Sequence, residues 1–387
     1  MRSMMMTRKF ISAAFALLFV LSAVSVVAVQ YGAEGQGSSY DDRSDMKDAW
    51  TLASIEVATG FIDISVGLDH TMAIRADGTL WAWGSNAQYQ LGDYTIGSVR
   101  APNQIGTDKW TAVSAGDDFT LAIKEDGSLW AWGNNVFGQL GCGDVLYLRD
   151  PTKVSDGPWK MVSVGHGHVV AIKTDGTLWA WGRNNYGQLG DGSNVNRSSP
   201  YKLSGTDWAF VSAGSNYTVA IKDDTSMYAW GNNTYGQFGL GDTTNRNVPT
   251  LLAPGWKTVS AGNTHTVAIR YNGTMWVCGS NNSGQFGNGS NSDSISMIQT
   301  GFFIDWEKVS AGNLHTVAIE RDSGLLYTWG DNTYSQLGAD IRNSSVPFNP
   351  KIPAADDDGT MLIIAAAVIA AIAVAVCVYM FVIRPRH

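Results

Sequence analysis

One sentence is written six times along this chain, and each copy ends in an aromatic-rich strand closed by glycine. Its clearest copies are WTAVSAGDDFTLAIKEDGSLWAWGNNVFGQLG, from Trp110 to Gly141, and WKMVSVGHGHVVAIKTDGTLWAWGRNNYGQLG, from Trp159 to Gly190. The closing glycines are Gly84, Gly133, Gly182, Gly231, Gly279 and Gly330. A steady period of about 50 residues means a repeat architecture, in which one small unit stacks on copies of itself.

Each unit reads as sheet. In TLAIKEDGSLWAW two apolar–polar alternations flank an Asp-Gly pair, the signature of a β-hairpin. The pair recurs at Asp77-Gly78, Asp126-Gly127, Asp175-Gly176 and Asn272-Gly273. A type I′ turn is expected there, with positive φ at both central residues. A strand precedes each hairpin and ends at Gly67, Gly116, Gly165, Gly214, Gly262 or Gly312. After the hairpin come a polar loop and a short strand: APNQI, DPTKV, SPYKL, VPTLL. Proline is expected to open that strand, at an edge where no ladder donor is lost. Four strands, A to D, and no convincing helix make each unit a propeller blade. The expected fold class is therefore all-β, a β-propeller of six four-stranded blades, with seven as the minority alternative.

The aromatic residues sit in register. Phe61, Trp110, Trp159, Trp208, Trp256 and Trp306 each precede the strand-A glycine by the same interval. Trp83, Trp132, Trp181, Trp230, Cys278 and Trp329 precede the closing glycine. Large rings recur where packing recurs, so this set is expected between blades. The loop asparagines (Asn86, Asn135, Asn184, Asn233, Asn281, Asn332) and glutamines (Gln90, Gln139, Gln188, Gln237, Gln285, Gln336) are expected to pair with buried backbone groups.

The pattern WxxVSAG, then [HFY]-T-[VL]-A-I, then DG-T-L-W-A-W-G-x-N-x-x-G-Q-[LF]-G, resembles the regulator of chromosome condensation repeat. The resemblance runs from about Ile55 to Pro353. It implies a β-propeller, usually of seven blades, serving mostly as an interaction scaffold. Exported relatives include a β-lactamase inhibitor built from the same repeat. Only six complete copies are found here. Trp50 to Val57 and Val346 to Pro353 are spare strand candidates, one of which is expected to close the ring.

The two ends point to export. Arg2, Arg8 and Lys9 precede an apolar run from Phe10 to Val29, with small residues at Val26-Val27-Ala28. This reads as a signal peptide over 1–28, with an uncleaved anchor as the alternative. Residues 29–54 read as a linker containing the candidate closing strand, 55–353 as the propeller, and 354–360 as an acidic stalk. Residues 361–383 read as a transmembrane helix: Met361 to Val382 is uncharged and reaches about 33 Å against a hydrocarbon core of ~30 Å. Arg384 and Arg386 fall in a cytoplasmic tail, 384–387, which places the propeller outside.

The whole chain carries 34 acidic against 26 basic side chains, a net −8. The terminal basic residues lie outside the exported body, which is more acidic still. No basic stripe exists for phosphates, so nucleic-acid binding is disfavoured. The founding relative's chromatin and nucleotide-exchange roles are not expected here, and the even blade length leaves no room for the inserted β-wedge that exchange uses in that relative.

Candidate chemistry is thin. His70, His168, His265 and His315 share one repeat position with Phe119 and Tyr217, which favours packing over metal. The loops at Asp191–Asn194 and Gly241–Asn245 resemble calcium loops only loosely. No G-x-S-x-G, HExxH or P-loop occurs, and Cys142 and Cys278 lie too far apart around the ring for a disulfide. No catalytic residue, metal or cofactor is assigned. A glycosidase hiding two carboxylates in different blades stays open.

The reading is a membrane-anchored cell-surface module binding an extracellular protein or glycan. Alternatives are a polysaccharide-active surface enzyme and a passive cell-envelope component. The A–B and C–D loops should share one face, with the hairpins opposite. Sequons at Asn196, Asn216, Asn232, Asn272, Asn288 and Asn343 are glycosylation candidates, whereas the sequon at Asn281 coincides with a structural asparagine. Glycans would shield copies three to six. That leaves Asp69, Tyr94, Asp117, Asp118, Leu146 and Tyr147 as the candidate contact patch, since variable loops on a rigid frame carry binding.

Overall fold

The computed structural model describes residues 60–300, 304–338 and 343–348. The expected signal peptide, linker with Trp50 to Val57, stalk, transmembrane helix and tail lie outside the described residues. Among the described residues no helix is long and apolar enough to cross a membrane.

Among the described residues, twenty-four strands form six antiparallel four-stranded sheets. Blade one is β1 (Phe61–Val66), β2 (His70–Arg75), β3 (Leu80–Gly84) and β4 (Val99–Gln104). Blade two is β5 (Trp110–Ala115), β6 (Phe119–Lys124), β7 (Leu129–Asn134) and β8 (Tyr147–Ser155). Blade three is β9 (Trp159–Val164), β10 (His168–Lys173), β11 (Leu178–Gly182) and β12 (Arg197–Lys202). Blade four is β13 (Trp208–Ala213), β14 (Tyr217–Lys222), β15 (Met227–Gly231) and β16 (Arg246–Ala253). Blade five is β17 (Trp256–Ala261), β18 (His265–Arg270), β19 (Met275–Gly279) and β20 (Ser294–Gln299). Blade six is β21 (Trp306–Ala311), β22 (His315–Glu320), β23 (Leu326–Gly330) and β24 (Ser344–Phe348).

Two local expectations are corrected. The hairpin is not type I′. Gly127 has φ +80° but Asp126 is not in the left-handed region. Gly127 N donates to Lys124 O at 2.9 Å and Lys124 N to Ser128 O at 3.0 Å, a three-residue type I turn with a glycine bulge. Asp126 instead caps the turn, accepting from Ser128 N at 2.8 Å and Ser128 Oγ at 2.5 Å. Those bonds hold its carboxyl below the usual range. The prolines do not open the fourth strand but sit within it, as Pro102 does in β4 and Pro200 in β12. The register shifts there, between Ala82 and Gly84 and between Ala180 and Gly182, so an outer strand accommodates proline in a bulge.

The core lies between blades. Phe119, Leu121, Leu129 and Leu140 of blade two pack against Trp159, Val162, Val164 and Trp181 of blade three. Equivalent clusters fill the other seams from blade one to blade six. Trp132, Trp181, Trp230 and Trp329 are fully buried. The indole N–H of Trp132 donates to Gln90 O, of Trp181 to Gln139 O and of Trp329 to Gln285 O. The carbonyls of Gln90 and Gln285 also accept from Thr120 and Thr316 of the later blade. The loop asparagine shapes the turn that aims that carbonyl: Asn135 Oδ1 accepts from Leu140 N at 2.7 Å, and Gln139 Oε1 accepts from Phe137 N at 2.8 Å. A serine on the first strand of blades one to five adds a staple, as Ser65 Oγ does for Ala115 N and Ser260 Oγ for Ala311 N.

Blade six does not repeat this packing against blade one among the described residues. Ile64 and Val66 are 50% and 67% exposed, whereas the matching Val113 and Ala115 are each 7% exposed. Part of the spare C-terminal candidate is absorbed: Val346 belongs to β24, the fourth strand of blade six. The rest of it, and Trp50 to Val57, lie outside the described residues.

Candidate functional site

The A–B and C–D loops do share a face. Ser85 N donates to Asp69 O at 2.7 Å and Asn134 N to Asp118 O at 2.9 Å, clipping each A–B turn to the start of its C–D loop. The hairpins sit at the other end, where Trp110 N donates to Gly78 O.

On this face the six expected residues fall into two adjoining groups. The inner group is Asp69, Asp117 and Asp118. Asp117 pairs with His166 of blade three, and that hydrogen bond raises the imidazole's pKa. Burial, then the charges of Asp117 and Asp69, push the Asp118 carboxyl up, with His166 acting against them.

The outer group is Tyr94, Leu146 and Tyr147, on the C–D loops of blades one and two. Tyr94 and Leu146 are 68% and 69% exposed, and Ile96 beside them 66%. Asn134 joins the groups, because its amide meets Asp118 and it pairs in register with Tyr147.

Three further residues complete the rim and were missed in the sequence. Tyr89 stacks on Tyr147 with ring centroids 5.1 Å apart and planes at 28°. The Arg149 guanidinium lies 5.1 Å from the Tyr89 ring and 5.7 Å from the Tyr147 ring. Tyr94 donates its hydroxyl to Asp150 Oδ2 at 2.9 Å, a bond that raises the phenol's pKa. A signal for Tyr89 was present: it stands where copies two to five carry Gly138, Gly187, Gly236 and Gly284.

The histidines at the shared repeat position are structural. His70 Nε2 meets Thr120 Oγ1 at 3.0 Å, His168 meets Thr218 at 3.0 Å, and His265 meets Thr316 at 3.1 Å. Each threonine hydroxyl already donates to a glutamine carbonyl, so each histidine donates from Nε2, and the buried, unpartnered Nδ1 favours the neutral ring. Burial lowers His70 to about 4 and His168 and His265 to about 3. Among the described residues no three His, Cys, Asp or Glu side chains converge to hold a metal. Cys142 and Cys278 are free thiols, and Cys278 takes the place of a core tryptophan with Sγ 3.2 Å from Gln237 O.

Of the sequon asparagines, Asn196, Asn272 and Asn343 are exposed, and Asn216, Asn232 and Asn288 half-buried. Asn281 is buried, and its Nδ2 donates to the carbonyls of Ser290 and Ser292.

The family model for the RCC1-like domain matches residues 11–261. Models for the regulator of chromosome condensation (RCC1) repeat match 256–285, 306–336 and 272–319. No curated protein matches the chain. Among solved structures, yeast RCC1 (Prp20) bound to Kap60 is similar at 21% identity and TM-score 0.68, over 78% of this chain and 76% of that one. Prp20p from Saccharomyces cerevisiae, described with its binding to Gsp1p and histones, matches at 22% identity and TM-score 0.68, over 78% of each chain. Human WBSCR16 matches at 24% identity and TM-score 0.66, over 75% of this chain and 81% of that one. At these identities the likeness is one of fold.

Proposed function

The chain belongs to the family of RCC1-like domains, and from that premise we propose that it is a protein-binding module displayed on the outer side of a membrane. One observation carries the reading. A rigid six-blade frame gathers Asp69, Asp117, Asp118, Tyr94, Leu146 and Tyr147 on one loop face of two adjacent blades, with the aromatic and aliphatic members exposed. Exposed apolar clusters rimmed by polar groups mark interaction sites. The yeast relative has been crystallised with the protein Kap60 and described as binding Gsp1p and histones, which supports a protein as the class of partner. Nucleotide exchange is not part of the proposal, an exclusion that rests on the nearly even length of the six copies in the sequence. The sequence of the two ends supports export and a single membrane anchor, with the sequons, Asn281 apart, as glycan sites.

Affinity capture with the full chain tests the reading. Alanine at Tyr94, Asp118 and Tyr147 together should weaken a captured partner at least tenfold, about 1.4 kcal/mol. Undiminished binding by the folded triple variant would retire the face. Protease added to intact cells should shed the propeller and spare a C-terminal tag; protection of the propeller would reverse the orientation.

A second reading has one observation behind it. Asp118, its carboxyl pushed up by burial and then by Asp117 and Asp69, would serve as the acid in a carboxylate group acting on polysaccharide. Release of reducing sugar from a polysaccharide panel, abolished by Asp118→Asn, would favour it over the binding module.

A further inference from the structure

Copy one breaks the repeat at two glycines, and both breaks fall on the same rim. In copies two to five the loop glycines Gly138, Gly187, Gly236 and Gly284 are left-handed, with φ between +74° and +79°. They press against the next blade's outer strand. A Cβ on Gly138 would lie 2.6 Å from Ser198 Cα, and one on Gly187 2.6 Å from Asn247 Cα. Tyr89 occupies this position in copy one at φ +64°. Five residues on, Gly143, Gly192, Gly241 and Gly289 are also left-handed, and copy one has Tyr94 at φ +65°.

The loop's bond to the neighbouring strand is longer at the substituted rim. Gly143 N reaches Ser198 O at 2.9 Å, Gly192 N reaches Asn247 O at 2.9 Å, and Gly241 N and Gly289 N reach their acceptors at 2.8 Å. The matching bond from Tyr94 N to Arg149 O is 3.3 Å. The Tyr89 ring lies at this looser contact, stacked on Tyr147 and edged by Arg149. An L side chain in the left-handed region is disfavoured, and bulky residues held there concentrate at functional sites.

The geometry points to this rim as the anchor site for a protein partner that presents an apolar side chain flanked by arginine or lysine. The inference rests on the protein-binding reading above and names the partner chemistry that fits it. Tyrosine and arginine dominate interface hot spots, and here Tyr89, Tyr94, Tyr147 and Arg149 are assembled with exposed Ile96 and Leu146 around them. Those aliphatic side chains suit an apolar anchor and have no use for a sugar. The flank is acidic: Asp69, Asp117, Asp118 and Asp150 border the rim, with Asp117 on His166 and Asp150 on Tyr94. Arg149 is already turned onto the tyrosine rings. A basic partner surface complements this charge, and the chain's net −8 works in the same direction.

The test is a phage-displayed random dodecapeptide library panned on the full chain in detergent. Enriched peptides should carry Lys or Arg around an aromatic or aliphatic residue. Their affinity should fall at least tenfold for Tyr89→Gly/Tyr94→Gly, which restores the repeat's own residues and leaves every charge in place. That variant should melt no lower than the parent, and Tyr235→Ala, on the loop of blade four, should bind normally. Peptides that bind the double variant as well as the parent overturn the site. Peptides enriched without basic residues overturn the partner chemistry alone. A library that yields no binder, with or without binding to an oligosaccharide array, overturns the protein-binding reading itself.

Discussion

The outer rim between blades one and two and the same rim between blades three and four are cut from one repeat, yet they are finished differently. Between three and four, Gly187 and Gly192 let the loop lie flat on β16, and Gly192 N meets Asn247 O at 2.9 Å. Between one and two, tyrosines replace both glycines and the matching bond stretches to 3.3 Å. The buried seam beneath packs the same pair of side-chain types in both places. Leu91 and Trp132 meet in one, Leu189 and Trp230 in the other, all fully buried. In a chain built from copies of one unit, stability resides in what every copy keeps. Departures from the unit that carry a conformational cost are where binding is to be sought.

The largest effect that divides the two kinds of position is in the core. Trp181→Ala should cost about 3–5 kcal/mol, through lost burial and a cavity between blades two and three. Chemical denaturation of the full chain reads it directly. An unchanged midpoint would mean the repeated tryptophans do not hold the seams.

The buried histidines come next. His70, His168 and His265 have folded pKa values below the unfolded 6.5, so the unfolded chain binds more protons in acid. Stability should be full above pH 6.5 and decline as the pH falls from there toward 4 and below. His166 acts oppositely, since its raised pKa favours folding below 6.5, but it is one half-exposed group against three buried ones. Melting temperature against pH should show the decline, and His168→Phe, which copies Phe119 of blade two, should flatten it. A Tm that is flat from pH 7 to 4 would contradict the neutral assignment.

Smaller effects sharpen the contrast at the rim. Gly138→Ala should cost about 1–3 kcal/mol, from left-handed strain and the collision with Ser198. Tyr147→Ala, on the exposed side, should change stability by no more than ~0.5 kcal/mol while weakening a bound partner. Equal stability losses from these two changes would erase the distinction between the rims.

The frame was legible because its signals repeat. Hairpins, strand-ending glycines and the tryptophan register each occur in copy after copy, and the hydrogen bonds of Asn135 and Gln139 explain why the loop signature recurs. Turn type was not legible. Asp-Gly serves both a type I′ turn and a type I turn with a glycine bulge, and the hydroxyl at Ser128 or Thr79, which binds the aspartate, favours the second. Proline placement failed because a bulge inside an outer strand leaves no mark in a single strand's sequence. The site was half legible. Tyr94 and Tyr147 were reachable from loop variability, but Tyr89 reads as a loop tyrosine until it is set against the glycines of the other copies. Arg149 and Asp150 needed the spatial pairing of β8 with the blade-one loop.

Hydrogen exchange of the full chain, with and without a captured partner, tests most directly the claim that binding sits where the repeat is broken. Protection is expected at residues 86–96 and 144–150, with the loops of blades four and five unchanged. Protection confined to the hairpins at the opposite end, or to the loops that keep both glycines, would contradict it.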